Sequence, residues 1–256
     1  MRFYWKVTVI ASMLLSSCIS HHSSFSVLSV EGGRIEITSD LDKSPDTSAL
    51  KIWKHYSDSV KAVMTPVVGY SEKAMVASYP ESLLGNLIAD IMLDASDNYG
   101  STGADMALLN LGAIRNSLPK GEITYGDICR VLSFENRYCI VSLNGRQLLE
   151  LFQVILNQES MAVSGVRLVG SEQHELVEAT IKGKPVETDA IYRIATIDYL
   201  AEGNSDMTVM KQAIDKYYPE GVWLRDLFAD YIRKVEAEGK MLTSRLDGRI
   251  TVKHGE

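Results

Sequence analysis

Asn110-Leu111-Gly112-Ala113-Ile114-Arg115 ends the apolar run "ALL" (Ala107 to Leu109) with a carboxamide, a glycine and a guanidinium inside six residues. A carboxamide both donates and accepts hydrogen bonds. A guanidinium stays charged and pairs two oxygens of a phosphate or carboxylate at once. The chain then passes Pro119 and Gly121 and reaches an aromatic, Phe134, in "VLSFEN". A ligand that is anionic at one end and flat at the other would use all of these groups. A well-made surface turn followed by an ordinary core aromatic would use them too, so the rest of the chain has to arbitrate.

Other chemistry is thin. The five histidines, His21, His22, His55, His174 and His254, are scattered without metal-ligand spacing. The pair His21-His22 has no carboxylate or cysteine company and makes a poor metal site. Cys129 and Cys139 leave open either one disulfide or two buried thiols, since spacing cannot decide between them.

The elements that must position the candidate residues can be read from periodicity and caps. Ser82 is an N-cap for a helix with Leu84, Leu87, Ile88, Ile91 and Ala95 at helical spacing. "ADMALLN" is a short buried strand that delivers Asn110. "RYCIVSLNGRQLLELFQVIL" reads as strand, Asn144-Gly145 turn, then helix. "GVRLVG", "LVEATIKGKPV" and "IYRIATIDYLA" read as further strands. An amphipathic helix from Leu224 to Val235 precedes a closing strand in "RLDGRITVK". Upstream, "VLSVEGGRIEIT" (Val27 to Thr38) alternates around Gly32-Gly33 and predicts a hairpin. Asp46 to Val63 predicts an amphipathic helix through Leu50, Trp53, Val60 and Val63, and "VVGYSEKAMVASY" reads as extended. Helices and strands mixed without a regular βαβ rhythm predict an α+β fold with mixed sheets.

The first residues predict export. Arg2 and Lys6 precede the apolar core "VTVIASMLL", which is far shorter than the ~20 residues of a membrane span. It leads into Leu15-Ser16-Ser17-Cys18, which resembles a bacterial lipobox, and the resemblance implies cleavage before Cys18 and its lipidation. An ordinary secretory signal with a coincidental Cys is the alternative. The expected organisation is a signal peptide over 1–17, a polar tether over 18–26 and one domain over 27–256, anchored to a membrane and periplasmic or cell-surface. With 46% hydrophobic residues the domain can fill a core. Its formal charge of −7 becomes −9 once Arg2 and Lys6 leave, and no Lys/Arg-rich run is present, which argues against a nucleic-acid polymer as partner.

Four blocks, "ESLLGNLIADIM", "LLNLGAIRNSLPKGEITYGDICRVLSFEN", "VSLNGRQLLELF" and "IYRIATIDYLAEGN", resemble in order and spacing the C-terminal domain of the 5′-nucleotidases. They span about two thirds of the chain. The resemblance implies a layered α/β/β/α-type domain that recognises a nucleoside monophosphate or nucleoside. Asn110, Gly112 and Arg115 match the family's Asn-Gly-Gly-Gly-Ile-Arg turn, with Leu111 and Ala113 replacing two glycines. The family match implies that Arg115 binds the phosphate and Asn110 the base or ribose. It also implies that Phe134 and Tyr199 sandwich the base, although Ser133 stands where a proline is usual. The family's Ala-x-Gly-Gly-Asp-Gly appears here as "LAEGNSDM", which puts Ser205 at the ribose-binding Asp position and leaves Asp206 as its substitute after a small loop shift. A second arginine usual before "PESLLGN" is replaced by Ser78 or Tyr79. In the family, catalysis belongs to a separate metallophosphatase domain with two divalent metals. Gly85-Asn86-Leu87 is similar to a Gly-Asn-His element of such domains, but Leu87 stands at the ligand position in what reads as a helix body. No cofactor or metal is therefore expected in this chain, and divalent metals are expected only in a separate metallophosphatase partner. The leading expectation is the recognition half of a split 5′-nucleotidase; the alternative is a non-catalytic nucleotide- or nucleoside-binding surface lipoprotein.

Overall fold

The computed structural model describes residues 26–99 and 102–253. The signal segment, the lipidation of Cys18, most of the tether with His21 and His22, and His254 all lie outside the described residues. The chain divides into two units, 1–51 and 52–256.

In the first unit, residues 26–38 form no strand, and every described residue is exposed. The hairpin expected over Val27 to Thr38 is absent. Its apolar side chains are 79% (Val27) to 95% (Leu28) exposed, with no surface to bury them, and a two-stranded ribbon without such a surface is marginal in water. A single 3-10 turn, Ser39–Lys43, follows, with the Thr38 hydroxyl accepting from the Asp40 amide.

Helix α1 (Thr47–Met64) begins where the sequence placed it, with the Asp46 carboxylate accepting from the amides of Ser48 and Ala49. Those two bonds hold the Asp46 carboxyl below its usual range. The apolar stripe is real but faces solvent: Trp53, Val60 and Val63 are all exposed, and only Ser57 is buried.

The second unit is built on mixed sheets. Strand β1 (Val67–Ser71) pairs antiparallel with β3 (Gly121–Thr124). A five-stranded sheet contains β2 (Met106–Asn110), β4 (Tyr138–Asn144), β5 (Met161–Ser164), β9 (Ile191–Ile197) and β10 (Asp215–Tyr217), in the order β10-β4-β9-β2-β5. Only its β2–β9 pairing is parallel. A four-stranded sheet has the order β11-β6-β7-β8, from β6 (Val166–Ser171), β7 (Leu176–Ile181), β8 (Lys184–Pro185) and β11 (Ile250–Lys253). There β11 pairs parallel with β6, and the other pairings are antiparallel.

Helix α2 (Leu83–Ala95) starts at Ser82, whose hydroxyl accepts from the Gly85 amide, and packs on β2, β5 and β9. Gly85, Asn86 and Leu87 are buried in its first two turns, as expected of a helix body. Helix α4 (Gly145–Gln158) packs on β4 and β9 of one sheet and on β7 of the other. Asn144-Gly145 is not a turn between strand and helix; it is the helix start itself. The Asn144 side chain accepts from the Gln147 amide and the Gln147 side chain from the Asn144 amide, a reciprocal cap. A side chain at Gly145 would lie 2.0 Å from the carbonyl oxygen of Glu187, so the glycine there serves close packing. After the one-turn helix α5 (Asp198–Ala201), helix α6 (Leu224–Ala237) packs on β1 and α2. This is the α+β fold with layered, mixed sheets expected from the sequence. Cys129 and Cys139 are both free thiols, and burial pushes the Cys139 thiol well up.

A short helix, α3 (Tyr125–Val131), is held by a second reciprocal cap: Asp127 accepts from the Thr124 amide and hydroxyl, and Thr124 accepts from the Asp127 amide. Burial pushes the Asp127 carboxyl up, but the bonds from Thr124 and Arg130 outweigh it and leave it below its usual value. A depressed folded-state pKa contributes stability above the unfolded value near 3.9, and that contribution is lost as pH falls through the folded value. Asp127→Ala is therefore expected to cost about 1 kcal/mol at pH 7 and distinctly less at pH 3. Urea midpoints at the two pH values check it.

Candidate functional site

Strand β2 is buried along its length and delivers Asn110 at its half-buried end. The Leu111 amide donates to the Ser160 carbonyl (2.7 Å), and a 3-10 turn, Leu111–Ala113, closes with the Ile114 amide on the Leu111 carbonyl (3.0 Å). That turn places Asn110, Gly112 and Ala113 along one side of a cleft of about 330 Å³. Phe134, Asn136, Ile197, Tyr199 and Ser205 complete its lining. No lining residue is charged. Asn110 Oδ1 is shielded from solvent and has no hydrogen-bond partner, which is costly unless something else supplies a donor. At Gly112 a side chain would meet Asn110 Nδ2 at 3.1 Å, so the remaining glycine leaves room for that amide.

The structure thus brings Asn110, Gly112, Phe134 and Tyr199 to one cleft. Arg115 is exposed and stands beside it: its guanidinium carbon lies 5.8 Å from the Phe134 ring centroid, and its amide is fixed on the Val131 carbonyl (2.8 Å). Among the described residues Arg115 pairs with no carboxylate.

Asp206 is not in the cleft lining. Its carboxylate accepts from Gln158 Nε2, while Ser205, its neighbour in the same loop, lines the cleft. Ser205 (φ 53°) and Asp206 (φ 58°) are consecutive residues in the left-handed region. That region disfavours side chains, although Asp tolerates it better than most, so a glycine at position 206 would ease the loop. Tyr79 also stays out of the lining; its hydroxyl is buried without a partner, and burial first, then the Glu159 charge, pushes its pKa up. Asn136 is a lining residue that the sequence did not single out. Its only signal was its place two residues after Phe134.

A larger hollow of about 370 Å³ among Asp90, Arg167, Lys182, Asp247 and Arg249 lies elsewhere. Arg249 pairs there with Asp90 and Asp247, Arg245 also pairs with Asp247, and Lys182 reaches Asp105 outside the lining, while Arg167 donates to the Gly248 carbonyl. Among the described residues no group of three or more His, Cys, Asp or Glu side chains converges to hold a metal ion. No described helix is long and apolar enough to cross a membrane.

Comparison with known proteins gives this geometry its context. The chain is 27% identical over 260 aligned positions to the trifunctional nucleotide phosphoesterase protein YfkN of Bacillus subtilis (strain 168), covering 85% of this chain and 17% of that one. It is 25% identical over 234 positions to the cell wall protein Lmo0130 of Listeria monocytogenes, covering 80% of this chain and 29% of that one. The crystal structure of the 5′-nucleotidase precursor of Thermus thermophilus superposes with a TM-score of 0.70 at 30% identity, over 80% of this chain and 43% of that one. The chain thus spans less than half the length of each of these relatives. The family described as 5′-nucleotidase, C-terminal domain, matches residues 67–212, more than half of the chain and every residue that lines the cleft. The chain belongs to the 5′-nucleotidase C-terminal domain family.

Proposed function

We propose that the cleft is a nucleotide-recognition site and that the chain binds nucleoside monophosphates for hydrolysis by a separately encoded metallophosphatase. The observation that carries this reading is Asn110 Oδ1, a buried acceptor without a donor at the head of a cleft lined by Phe134 and Tyr199. A base between the two rings supplies stacking surface, and its N–H groups or the ribose hydroxyls supply the donor. Arg115, with no carboxylate partner among the described residues, receives the phosphate at the rim. Ser205 offers a hydroxyl where the family has a carboxylate, so the ribose is held more weakly than in the family pattern. The names of YfkN and of the Thermus protein, a nucleotide phosphoesterase and a 5′-nucleotidase, support the substrate class. The cell-wall relative supports export, and lipidation at Cys18 belongs to the same proposal.

The chemistry assigned to this chain is binding and orientation. A metallophosphatase partner would supply the divalent metals and the activated water, and no residue of this chain is assigned to a bond-breaking step. A second reading, capture of nucleosides without hydrolysis, is favoured by one observation: the cleft lining is uncharged throughout.

Calorimetric titration with AMP and with adenosine separates these readings. AMP is expected to bind about tenfold more tightly than adenosine, the scale of one charge-assisted hydrogen bond, and Arg115→Ala removes that difference. Equal affinities for the two ligands in the unmodified protein favour nucleoside capture. No binding of either at millimolar ligand overturns the nucleotide reading.

A further inference from the structure

Neither aromatic wall of the cleft is buried: Phe134 is 51% and Tyr199 44% exposed. The β4–β9 pairing reaches Tyr138 and Ile197, just short of the two walls, and further hydrogen bonds hold the backbone beside each ring. The Arg225 guanidinium donates from Nε to the Leu132 carbonyl (2.8 Å) and from Nη2 to the carbonyls of Ser133 and Phe134 (3.2 Å each). The Leu224 amide donates to the Asn136 carbonyl (3.0 Å). Every carbonyl from Leu132 to Phe134, and that of Asn136, is thus held from the start of α6.

Asp198 makes the link to the other wall. Its Oδ1 accepts from the Tyr199 amide (2.9 Å) and from the Arg137 amide (3.2 Å), while its own amide donates to the Arg137 carbonyl (2.9 Å). One carboxylate oxygen therefore joins the segment that carries Phe134 to the segment that carries Tyr199. Neither Asp198 nor Arg225 is among the cleft-lining residues.

From this geometry we infer that Asp198 and Arg225 are positioning residues that set the width of the slot between Phe134 and Tyr199. Two exposed rings on independently mobile loops would have to be ordered each time a flat ligand entered. Rings whose backbones are already held spare that ordering cost, so affinity rises without any added contact. Bonds from amides to a carboxylate, and from a guanidinium to carbonyls, are charge-assisted and among the stronger ones available for the purpose. The identity of the ligand rests on the nucleotide reading above; the bracket itself does not.

The test uses Asp198→Ala, Asp198→Asn and Arg225→Met in the exported chain, titrated with AMP. Asp198→Ala removes both amide bonds to Oδ1 and is expected to weaken AMP binding about tenfold. Asp198→Asn keeps an Oδ1 acceptor and is expected to recover most of that loss. In a Phe134→Ala background the Asp198→Ala effect should shrink to less than about twofold, because the wall it positions is gone; residues in one coupled unit are non-additive in this way. Wild-type affinity in Asp198→Ala, or the same tenfold loss in the Phe134→Ala background, overturns the inference. Should Asp198→Ala fail to fold, Arg225→Met carries the same comparison. If the unmodified protein binds no nucleotide, the nucleotide reading falls, and amide hydrogen exchange decides the bracket separately. Joint loss of protection over 133–137 and 199–205 in Asp198→Ala, but not in Asp198→Asn, supports it, and unchanged protection overturns it.

Discussion

Methionine in place of Arg249 is expected to lower folding stability by about 3 kcal/mol, the lower end of the cost of breaking a buried ion pair by removing one partner. Arg249 is 8% exposed and is fully engaged. Its guanidinium donates to Asp90 (2.8 Å) and to Asp247 (2.9 Å), and to the carbonyls of Val163 (3.0 Å) and Asn86 (3.3 Å). Methionine replaces most of the apolar stem and none of these bonds. Two carboxylates and two carbonyls are then left facing an apolar side chain. The figure sits at the low end because the Asp90 side chain is 42% exposed and can rehydrate. The double variant Asp90→Asn with Arg249→Met should be less damaging than the sum of its parts, since it removes one of the stranded charges. Urea denaturation measures both, and a loss under ~1 kcal/mol for Arg249→Met would show that water replaces the network freely.

Loss of the aromatic walls is expected to be the largest effect on binding. Each base–aromatic contact contributes about 1–3 kcal/mol by alanine substitution, so Phe134→Ala and Tyr199→Ala should each weaken AMP binding by about tenfold or more. The double variant should reach about a hundredfold. Stacking acts on the base, so the loss should be equal for AMP and adenosine, whereas Arg115→Ala should act on AMP alone. Both rings are exposed in the free protein, so their removal leaves little cavity and should hardly move the urea midpoint. Unchanged AMP affinity in the double variant, in protein of unchanged stability, would remove the clamp from consideration.

Local signals in the sequence were legible wherever a short-range rule governs. Ser82 caps α2 because a hydroxyl before an apolar run satisfies a helix amide, and the strand ending at Asn110 reads from a continuous apolar run. Asn144-Gly145 shows the limit of that approach. The dipeptide favours both a hairpin turn and a helix start, and the choice was made by Gln147, three residues on, together with the close approach of Glu187. The alternation of Val27 to Ile37 was equally plain and produced no strand, because alternation reports a face that wants burial and supplies no partner to bury it. At the cleft, Asn110 and Phe134 were marked by type and place, and Tyr199 by the family match. Asn136 was not, since a half-buried Asn carries no pattern, and Ser205 was reached only through alignment with the family's loop. Asp198, Arg225 and Arg249 were invisible for a different reason: each acts on backbone groups or charges far along the chain, from Leu132 reached by Arg225 to Asp90 reached by Arg249, and no local period encodes such a meeting.

The parallel pairing of β11 with β6, locked by Arg249 to a helix 159 residues upstream, sets an order of events during biosynthesis. Glu81 awaits the amides of Asp247 and Gly248, and Asp90 awaits the Arg249 guanidinium. At ribosomal rates of about 5–20 residues per second, α2 emerges roughly 8–30 s before the segment that completes it. Strand β6 is made within that interval and lacks its β11 partner for roughly the last 4–16 s of it, and unpaired strand edges invite pairing with other chains. A chain cut short before Asp247 therefore keeps β6 as an edge strand and leaves Glu81 and Asp90 without these partners.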